Sequence, residues 1–264
     1  MDNSSTPLLV KPGTKMAFKQ SLRKAVYKVA PRPVLDGYHY LKIVHQARRL
    51  SALRKRAGDP QVWIEALWRS HFFRPLQKRT EIFRLVDILE RLRPTAICEI
   101  GAAGGGTTFL LAHAAAPDAL IVSLDLAFTE SRKAALKQFA LPGQKLVCLQ
   151  KNSHELETVS AIESCLTGRR LDVLYLDGDH SYEGIKADFE LFSPLVKPGG
   201  VIVFHDIVPD YKTRYGIETT SYVGGVPQFW TEIKSTYRTV EEVIENPEQD
   251  GFGIGILQWS GGTK

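Results

Sequence analysis

Glu99-Ile100-Gly101-Ala102-Ala103-Gly104-Gly105-Gly106-Thr107-Thr108 is the stretch on which the reading of this chain turns. It closes the apolar, β-branched run AICEI (96–100) and opens a segment of helical composition over 107–116. Glycines between a strand and a helix let the backbone turn sharply and approach a ligand closely. Asp125 ends the next apolar run, LIVSLD (120–125), where a carboxylate can accept both hydroxyls of a ribose. The two features together predict a cofactor that contains a nucleoside.

The same texture continues outward. KLVCLQ (145–150), LDVLYLD (171–177) and VIVFHD (201–206) read as strands, and 129–140, 154–166 and 183–195 as the helices between them. Strands separated by helices at this period predict right-handed βαβ units and a parallel sheet buried on both faces. After a long loop (207–225) come a helix near Val226–Tyr237 and two more strands, RTVEEVI and GFGIGILQW. The turn-rich stretch Asn246–Gly251 between them suits a hairpin. Lys197-Pro198-Gly199-Gly200 reads as a tight turn into the fifth strand.

Upstream, VWIEALWRSHFF and LQKRTEIFRLVDILERL predict one or two helices over 61–93. Trp63, Trp68, Phe72 and Phe73 read first as core, and second as a wall of an acceptor pocket whose other side is Tyr222–Trp230. His71 and His154 are given no role. Residues 1–57 hold thirteen Lys/Arg against Asp2 and Asp36, a net +11, while the rest of the chain is net −6. This arm reads as two helical stretches, Ala17–Ala30 and Tyr38–Ala57, broken at Pro31 and Pro33. The expected division is a basic helical extension over 1–60 and a single α/β domain over 61–264. A basic amphipathic arm suits packing on the body or on a sister subunit, giving a homo-oligomer, or peripheral contact with an anionic membrane through 17–57. No aromatic-interleaved basic motif supports nucleic acid.

Composition narrows the class. The chain has 264 residues, 44% hydrophobic and 24% charged, as in an ordinary globular protein. Its longest apolar runs are too short to span a bilayer. Cys98, Cys148 and Cys165 are odd in number and widely spaced, so neither a disulfide framework nor a cysteine zinc site is expected. With no apolar leader near the N-terminus, a cytoplasmic location is the expectation.

The glycine loop selects among cofactors. A dinucleotide site wants G-x-G-x-x-G, whereas this loop reads G-A-A-G-G-G, with Ala103 at the middle glycine. Glu99, two residues ahead of Gly101, is unfavourable beside a pyrophosphate and favourable beside the ammonium of an S-adenosylmethionine methionyl group. An NAD-dependent oxidoreductase is therefore the weaker alternative. A non-catalytic cofactor-binding or membrane-associated module of the same fold is the other.

Asp177-Gly178-Asp179-His180-Ser181-Tyr182 follows the fourth strand, and His205-Asp206 ends the fifth. Ligands in open α/β sheets bind at the carboxyl ends of strands. Neighbouring parallel strands lie about 4.8 Å apart, so Asp177 and Asp206 can share one divalent cation. Oxygen donors with open positions suit Mg²⁺, Mn²⁺ or Ca²⁺. Such a cation acidifies a bound hydroxyl, and a nearby histidine can take the proton. Asp179 can cap the following helix.

CEIGAAGGGTT, VSLDL, LQKNSHE, LDVLYLDGDHSYEGIKADFELFSPLVKPGGVIVFHDI and FGIGILQW resemble the class I S-adenosylmethionine-dependent methyltransferases over roughly 75–260. Within that family the chain looks like the small-molecule and sugar O-methyltransferases, both catechol-type and cephalosporin-hydroxylase-like. The resemblance implies a Rossmann-like seven-stranded sheet ending in an antiparallel hairpin. It implies that Glu99, Gly101, Ala102 and the loop through Thr107 contact the methionyl end of the cofactor, and that Asp125 holds the ribose. It further implies that Asn152 and Ser153 border the adenine, and that Asp177 reaches cofactor and metal. Asp206 would be the second metal ligand and His180, three residues after Asp177, the general base. Lys151-Asn152-Ser153 lacks the acid of the family's Gly-Asp-Ser, which leaves the Asn152 amide oxygen to accept from the adenine amine. His205 stands where the sugar-type enzymes have an acid, and whether it adds a third metal donor stays open at this level.

Overall fold

The computed structural model describes residues 32–261. The helical reading of Ala17–Ala30 lies outside them. Contacts divide the chain into two units, Met1–Lys42 and Ile43–Lys264. Helix α1 (Arg32–Arg56) starts six residues before the expected Tyr38. Pro33 lies in its first turn, where a missing N–H costs nothing, so the proline is accommodated at the start of this helix. In the first unit Tyr38, Tyr40 and Leu41 are exposed, and the Lys42 ammonium sits 4.1 Å from the Tyr38 ring centroid.

The second unit begins with the rest of α1. Ile43, Val44, Ala47 and Leu50 recur at helical spacing and are all buried, whereas Arg48, Arg49, Lys55 and Arg56 are exposed. The apolar stripe of this half is therefore used by the core. Helix α2 (Pro60–Trp68) is capped by Asp59, whose carboxylate accepts from Gln61 N, and α3 (Arg79–Leu92) ends at Arg93 in the left-handed conformation. Trp63, Phe73 and Trp68 are core residues, as their first reading has it.

The seven strands are β1 (Ala96–Ile100), β2 (Leu120–Leu124), β3 (Lys145–Leu149), β4 (Leu171–Leu176), β5 (Val196–His205), β6 (Val240–Val243) and β7 (Ile254–Gln258). They form one sheet in the order β3-β2-β1-β4-β5-β7-β6. The first five pair in parallel, and β7 runs antiparallel to both β5 and β6. Helices α4 (Gly106–Ala114), α5 (Glu130–Leu136), α6 (Leu156–Leu166), α7 (Tyr182–Phe192) and α9 (Val226–Thr236) connect the strands. A short helix, α8 (Tyr211–Tyr215), interrupts the stretch read as a continuous loop; Asp210 caps it by accepting from Thr213 N. The strand β5 also starts earlier than expected. Lys197–Gly200 lies inside it as an irregularity, with Leu171 paired to Val196 and Val173 to Val201.

Strand alternation sorts the core into two layers. Ile97, Ile121, Val173, Tyr175 and Val203 face one layer with α2, α3 and α4. Cys98, Val122, Leu174, Ile202 and Phe204 face the other with α6, α7 and α9. The central strands β1, β2 and β4 are buried at every residue, so their polar members must be satisfied within the protein.

Asp172 is one such member. Its Oδ2 accepts from Thr95 N at 2.6 Å, Thr95 Oγ1 at 2.8 Å and Ala96 N at 2.9 Å, and its Oδ1 pairs with Lys197. It thus ties the starts of β1, β4 and β5 together. Burial raises its pKa, but the Lys197 and Thr95 contacts outweigh burial and hold it below the usual carboxylate range. A carboxyl lowered in the folded state stabilises above its unfolded pKa, and that stabilisation is lost as the pH falls through the folded value. Asp172→Asn is expected to lower the unfolding free energy by about 1–3 kcal/mol at pH 7. Urea denaturation at pH 7 and pH 3 checks this: the gap from the parent protein should narrow at the lower pH, and an equal gap at both contradicts the assignment.

Candidate functional site

The strand order reverses between β1 and β4, and the loops that leave their carboxyl ends part there. Asp177 N donates to Ile100 O at 2.9 Å, and Gly101 N donates to Leu124 O at 2.9 Å. Gly101 has φ +84°, and a Cβ on it would lie 1.9 Å from Asp177 O. Only glycine fits this crossing, on both counts. Gly106 is also tightly held, on its other side, where a Cβ would lie 2.6 Å from Phe73 O.

The cleft that opens here has a volume of about 530 Å³. Gly101, Ala103, Asp125, Asn152, Ser153 and Asp177 line it. Of the residues expected at a cofactor, these are brought together. Asp125 Oδ2 accepts from Ala103 N and its Oδ1 from Ala127 N, both at 2.7 Å, so the carboxylate is fixed by backbone on both oxygens. Asn152 Oδ1 already accepts from His154 N at 3.1 Å. The amide oxygen expected to meet the adenine amine is thus engaged in a local turn.

His154, given no role on the sequence, also lines the cleft. Its Nε2 lies 3.4 Å from Oδ1 of Asp188, a carboxylate of α7 with no exposed surface, whose pKa burial pushes up to about 6. Its place directly after Asn152-Ser153, at the carboxyl end of β3, was a positional signal. The cap of α7 is Ser181, which accepts from Gly184 N; Asp179 instead accepts from Ser181 N, one step earlier.

Glu99, Ala102 and Thr107 are buried beneath the loop and do not line the cleft. Glu99 Oε2 accepts from Thr108 Oγ1 at 2.5 Å and from Ser123 Oγ at 2.6 Å, while Oε1 is buried with no hydrogen-bond partner. Burial raises its pKa to about 7, against the opposing hydrogen bonds of Ser123 and Thr108.

At the far end of the cleft, β4 and β5 deliver the second cluster. Asp177, His180 and Asp206 each offer a donor atom within 4.8 Å of the others. His180 Nε2 lies 3.3 Å from Asp177 Oδ1, and His180 Nδ1 lies 3.3 Å from Asp206 Oδ2. His180 Nδ1 also donates to Tyr222 O at 2.6 Å, which fixes the tautomer and turns Nε2 toward Asp177. The Tyr222 ring is 75% exposed and stacks on the imidazole at 5.8 Å between centroids and 12° between planes. Asp206 adopts φ +61°, a left-handed conformation that is strained for a residue with a side chain.

His205 is buried between the two carboxylates, with Nδ1 3.1 Å from Asp177 Oδ1 and 3.5 Å from Asp206 Oδ1. That nitrogen donates to Asp177, and Nε2 is buried without a partner. Burial alone would push both imidazoles down, but Asp177 and Asp206 outweigh it and hold His180 and His205 up to about 9. In turn the histidines lower Asp177 against its burial, whereas burial prevails at Asp206 and raises it.

The structure adds residues that the sequence does not announce. Gln77 lies just before α3, and its Nε2 donates to Asp177 Oδ2 at 3.3 Å. Arg132 Nη1 donates to Phe72 O at 2.8 Å and to Gly104 O at 2.7 Å, which clamps the glycine loop from outside. Both contacts join segments too far apart in sequence for spacing to signal them.

Residues 98–207 match a family model described as a methyltransferase domain. Over that stretch the chain is similar to methyltransferase domains. Among curated proteins, the uncharacterized protein y4gI of Sinorhizobium fredii is 25% identical over 223 residues, covering 80% of this chain and 22% of that one. The uncharacterized protein R132 of Acanthamoeba polyphaga mimivirus is 30% identical over 83 residues, covering 31% and 36%. The chain thus spans about a fifth and about a third of the lengths of these curated relatives. Among solved structures, an O-methyltransferase from Bacillus cereus in complex with SAH superposes with a TM-score of 0.53 at 18% identity, covering 90% of this chain and 97% of that one. TomG, an O-methyltransferase from Streptomyces achromogenes involved in tomaymycin synthesis, in complex with SAM, has a TM-score of 0.52 at 19% identity, covering 69% and 81%. At these identities the likeness is one of fold.

Glu99 sits at the floor of this methyltransferase fold, and its ionisation has a measurable consequence. A carboxyl whose folded pKa lies above its unfolded value destabilises progressively as the pH rises from the unfolded to the folded pKa, here from 4.5 to about 7. Glu99→Gln keeps an oxygen for Thr108 and Ser123 and removes the charge. The variant is expected to match the parent near pH 4.5 and to exceed it by roughly 2–3 kcal/mol at pH 8. Unfolding free energies at the two pH values decide it; a gap that does not grow with pH contradicts the assignment.

Proposed function

We propose that this protein is an S-adenosylmethionine-dependent O-methyltransferase acting on a hydroxyl of a small molecule or sugar, with a divalent cation, Mg²⁺ or Mn²⁺, at Asp177 and Asp206. The observation that carries the proposal is the continuity of the cleft, which runs from Asp125 to Asp177 and there meets the Asp177–His180–Asp206 cluster. Donor and acceptor halves are thus adjacent.

The residues fit both groups. Asp125 presents a rigid carboxylate to the ribose, and the cleft volume lies in the range of small-molecule sites. The orphaned Glu99 Oε1 gives a negative partner for the cofactor's ammonium, reached through water, because the residue is fully buried. Asp177 and Asp206 supply hard oxygen donors at one point. When bound, the cofactor supplies an electrophilic methyl group on a sulfonium, and the cation acidifies a bound hydroxyl. His180 receives the acceptor's proton at Nε2, since Nδ1 is committed to Tyr222 O. Neutralising the two carboxylates removes what holds His180 protonated, so the metal and base roles support each other. His205, with its Nδ1 spent on the carboxylates, orients them and is not counted as a ligand.

We extend the proposal to a cytoplasmic protein, supported by three free cysteines. Peripheral contact with an anionic surface would rest, in the second unit, on the exposed Arg48, Arg49, Lys55 and Arg56 and on charge alone, because the apolar stripe beside them is buried. Among the described residues no helix is long and apolar enough to cross a membrane.

Calorimetric titration with S-adenosylhomocysteine tests the cofactor. The expected result is saturable binding, no binding of NAD, and at least tenfold weaker binding in Asp125→Ala. Binding of NAD but not S-adenosylhomocysteine would overturn the proposal. The acceptor half is tested by release of S-adenosylhomocysteine across a panel of catechols and sugars with Mg²⁺ or Mn²⁺. His180→Ala should lower turnover at pH 7 at least a hundredfold while cofactor affinity stays within twofold. Equal turnover from pH 6 to pH 10 removes His180 as the base.

A further inference from the structure

Gln77 stands outside every motif of the sequence, yet it is the residue that touches both halves of the site. It is 7% exposed and lies at the end of the segment between α2 and α3. Its Nε2 donates to Asp177 Oδ2 at 3.3 Å and to Tyr175 Oη at 3.4 Å. Its Oε1 accepts from Thr107 Oγ1 at 3.4 Å. The orientation of the amide follows from chemistry: an ionised carboxylate only accepts, so the nitrogen must face Asp177. Thr107 belongs to the first turn of α4, directly after the glycine loop, whereas Asp177 belongs to the metal and proton cluster.

The segment that carries Gln77 is itself fixed over the glycine loop. Phe72 O is 3.1 Å from where a Gly104 Cβ would be, and Arg132 bridges those same two residues. Phe73 O and Pro75 lie as closely over Gly106. The amide of Gln77 is therefore presented from a rigid support.

We infer that Gln77 is a positioning residue that holds Asp177 in register with the cofactor cleft. Its N–H restrains Oδ2 of Asp177, which leaves Oδ1 for His180 and His205, and its carbonyl anchors that restraint on α4 through Thr107. Truncating or inverting this amide frees a carboxylate that lines the cleft, and cofactor affinity falls. The inference rests on the proposed cofactor, and the experiment separates the two.

The test is the affinity of the full chain for S-adenosylhomocysteine, measured by calorimetry in the parent, Gln77→Ala, Gln77→Glu, Thr107→Val and the double variant Gln77→Ala/Thr107→Val, with thermal unfolding recorded for each. Gln77→Glu has the size of the native side chain and can still accept from Thr107, but when ionised it has no N–H for Asp177. The inference expects at least fivefold weaker binding in both Gln77 variants and about twofold in Thr107→Val. It expects no further loss in the double variant, because one restraint has been broken twice. Gln77→Ala, which adds no charge, separates the lost N–H from repulsion between two carboxylates, and Gln77→Glu binding within twofold of the parent overturns the inference. So does a double variant whose losses multiply. If Gln77→Ala fails to fold, the isosteric glutamate variant and Thr107→Val still decide. A parent protein that binds no S-adenosylhomocysteine would instead sink the cofactor itself.

Discussion

The site depends on one close crossing of main chains. Where β1 ends, Gly101 passes against the carbonyl of Asp177 at the end of β4, with no room for a side chain. The Ile100 carbonyl is meanwhile bonded to Asp177 N. This contact sets where the glycine loop leaves the sheet and where the Asp177 carboxylate begins. The cleft beside the glycine loop and the Asp177–His180–Asp206 cluster are therefore set by a single backbone arrangement. The buried central strands make it rigid, because their residues pack against helices on both faces and have no freedom to slide.

The electrostatics of the second cluster follow from burial. Two carboxylates lie close together where water is scarce, a costly arrangement unless positive charge is near. Two histidines provide it here, one from the turn after β4 and one from the end of β5. His205 hydrogen-bonds Asp177 and lies 3.5 Å from Asp206, so its one paired nitrogen is shared between the two carboxylates. The left-handed Asp206 shows the same economy: local backbone strain is kept because it aims a carboxylate at the cluster.

Most of the fold was legible because it is periodic. The strands at 96–100, 120–124, 145–149 and 171–176 differ from their sequence readings by a residue at most, since β-branched runs bounded by turns leave few alternatives. The departures have physical causes. Pro33 is accommodated at the start of a helix because its missing N–H falls where none is used, and Lys197–Gly200 joined β5 because Trp259, just past β7, bonds its backbone, Gly199 N donating to Trp259 O and Trp259 N to Gly200 O. Within the site, Asp125, Asp177, His180 and Asp206 were legible because each ends a strand or follows one closely. Gln77, Arg132 and the Tyr222 carbonyl were not. Their partners lie from 28 to 100 residues away, and a main-chain carbonyl leaves no trace in composition.

The contact between His180 and residue 222 joins the Asp177–His180–Asp206 cluster to an exposed side chain in two separate ways. The imidazole is oriented by a peptide oxygen, whereas the aromatic ring of the same residue is exposed and stacks on it. Those two duties are chemically separable. Exchange of the ring removes the stacking contact and leaves the main-chain oxygen in place, so the tautomer of His180 does not depend on which side chain residue 222 carries.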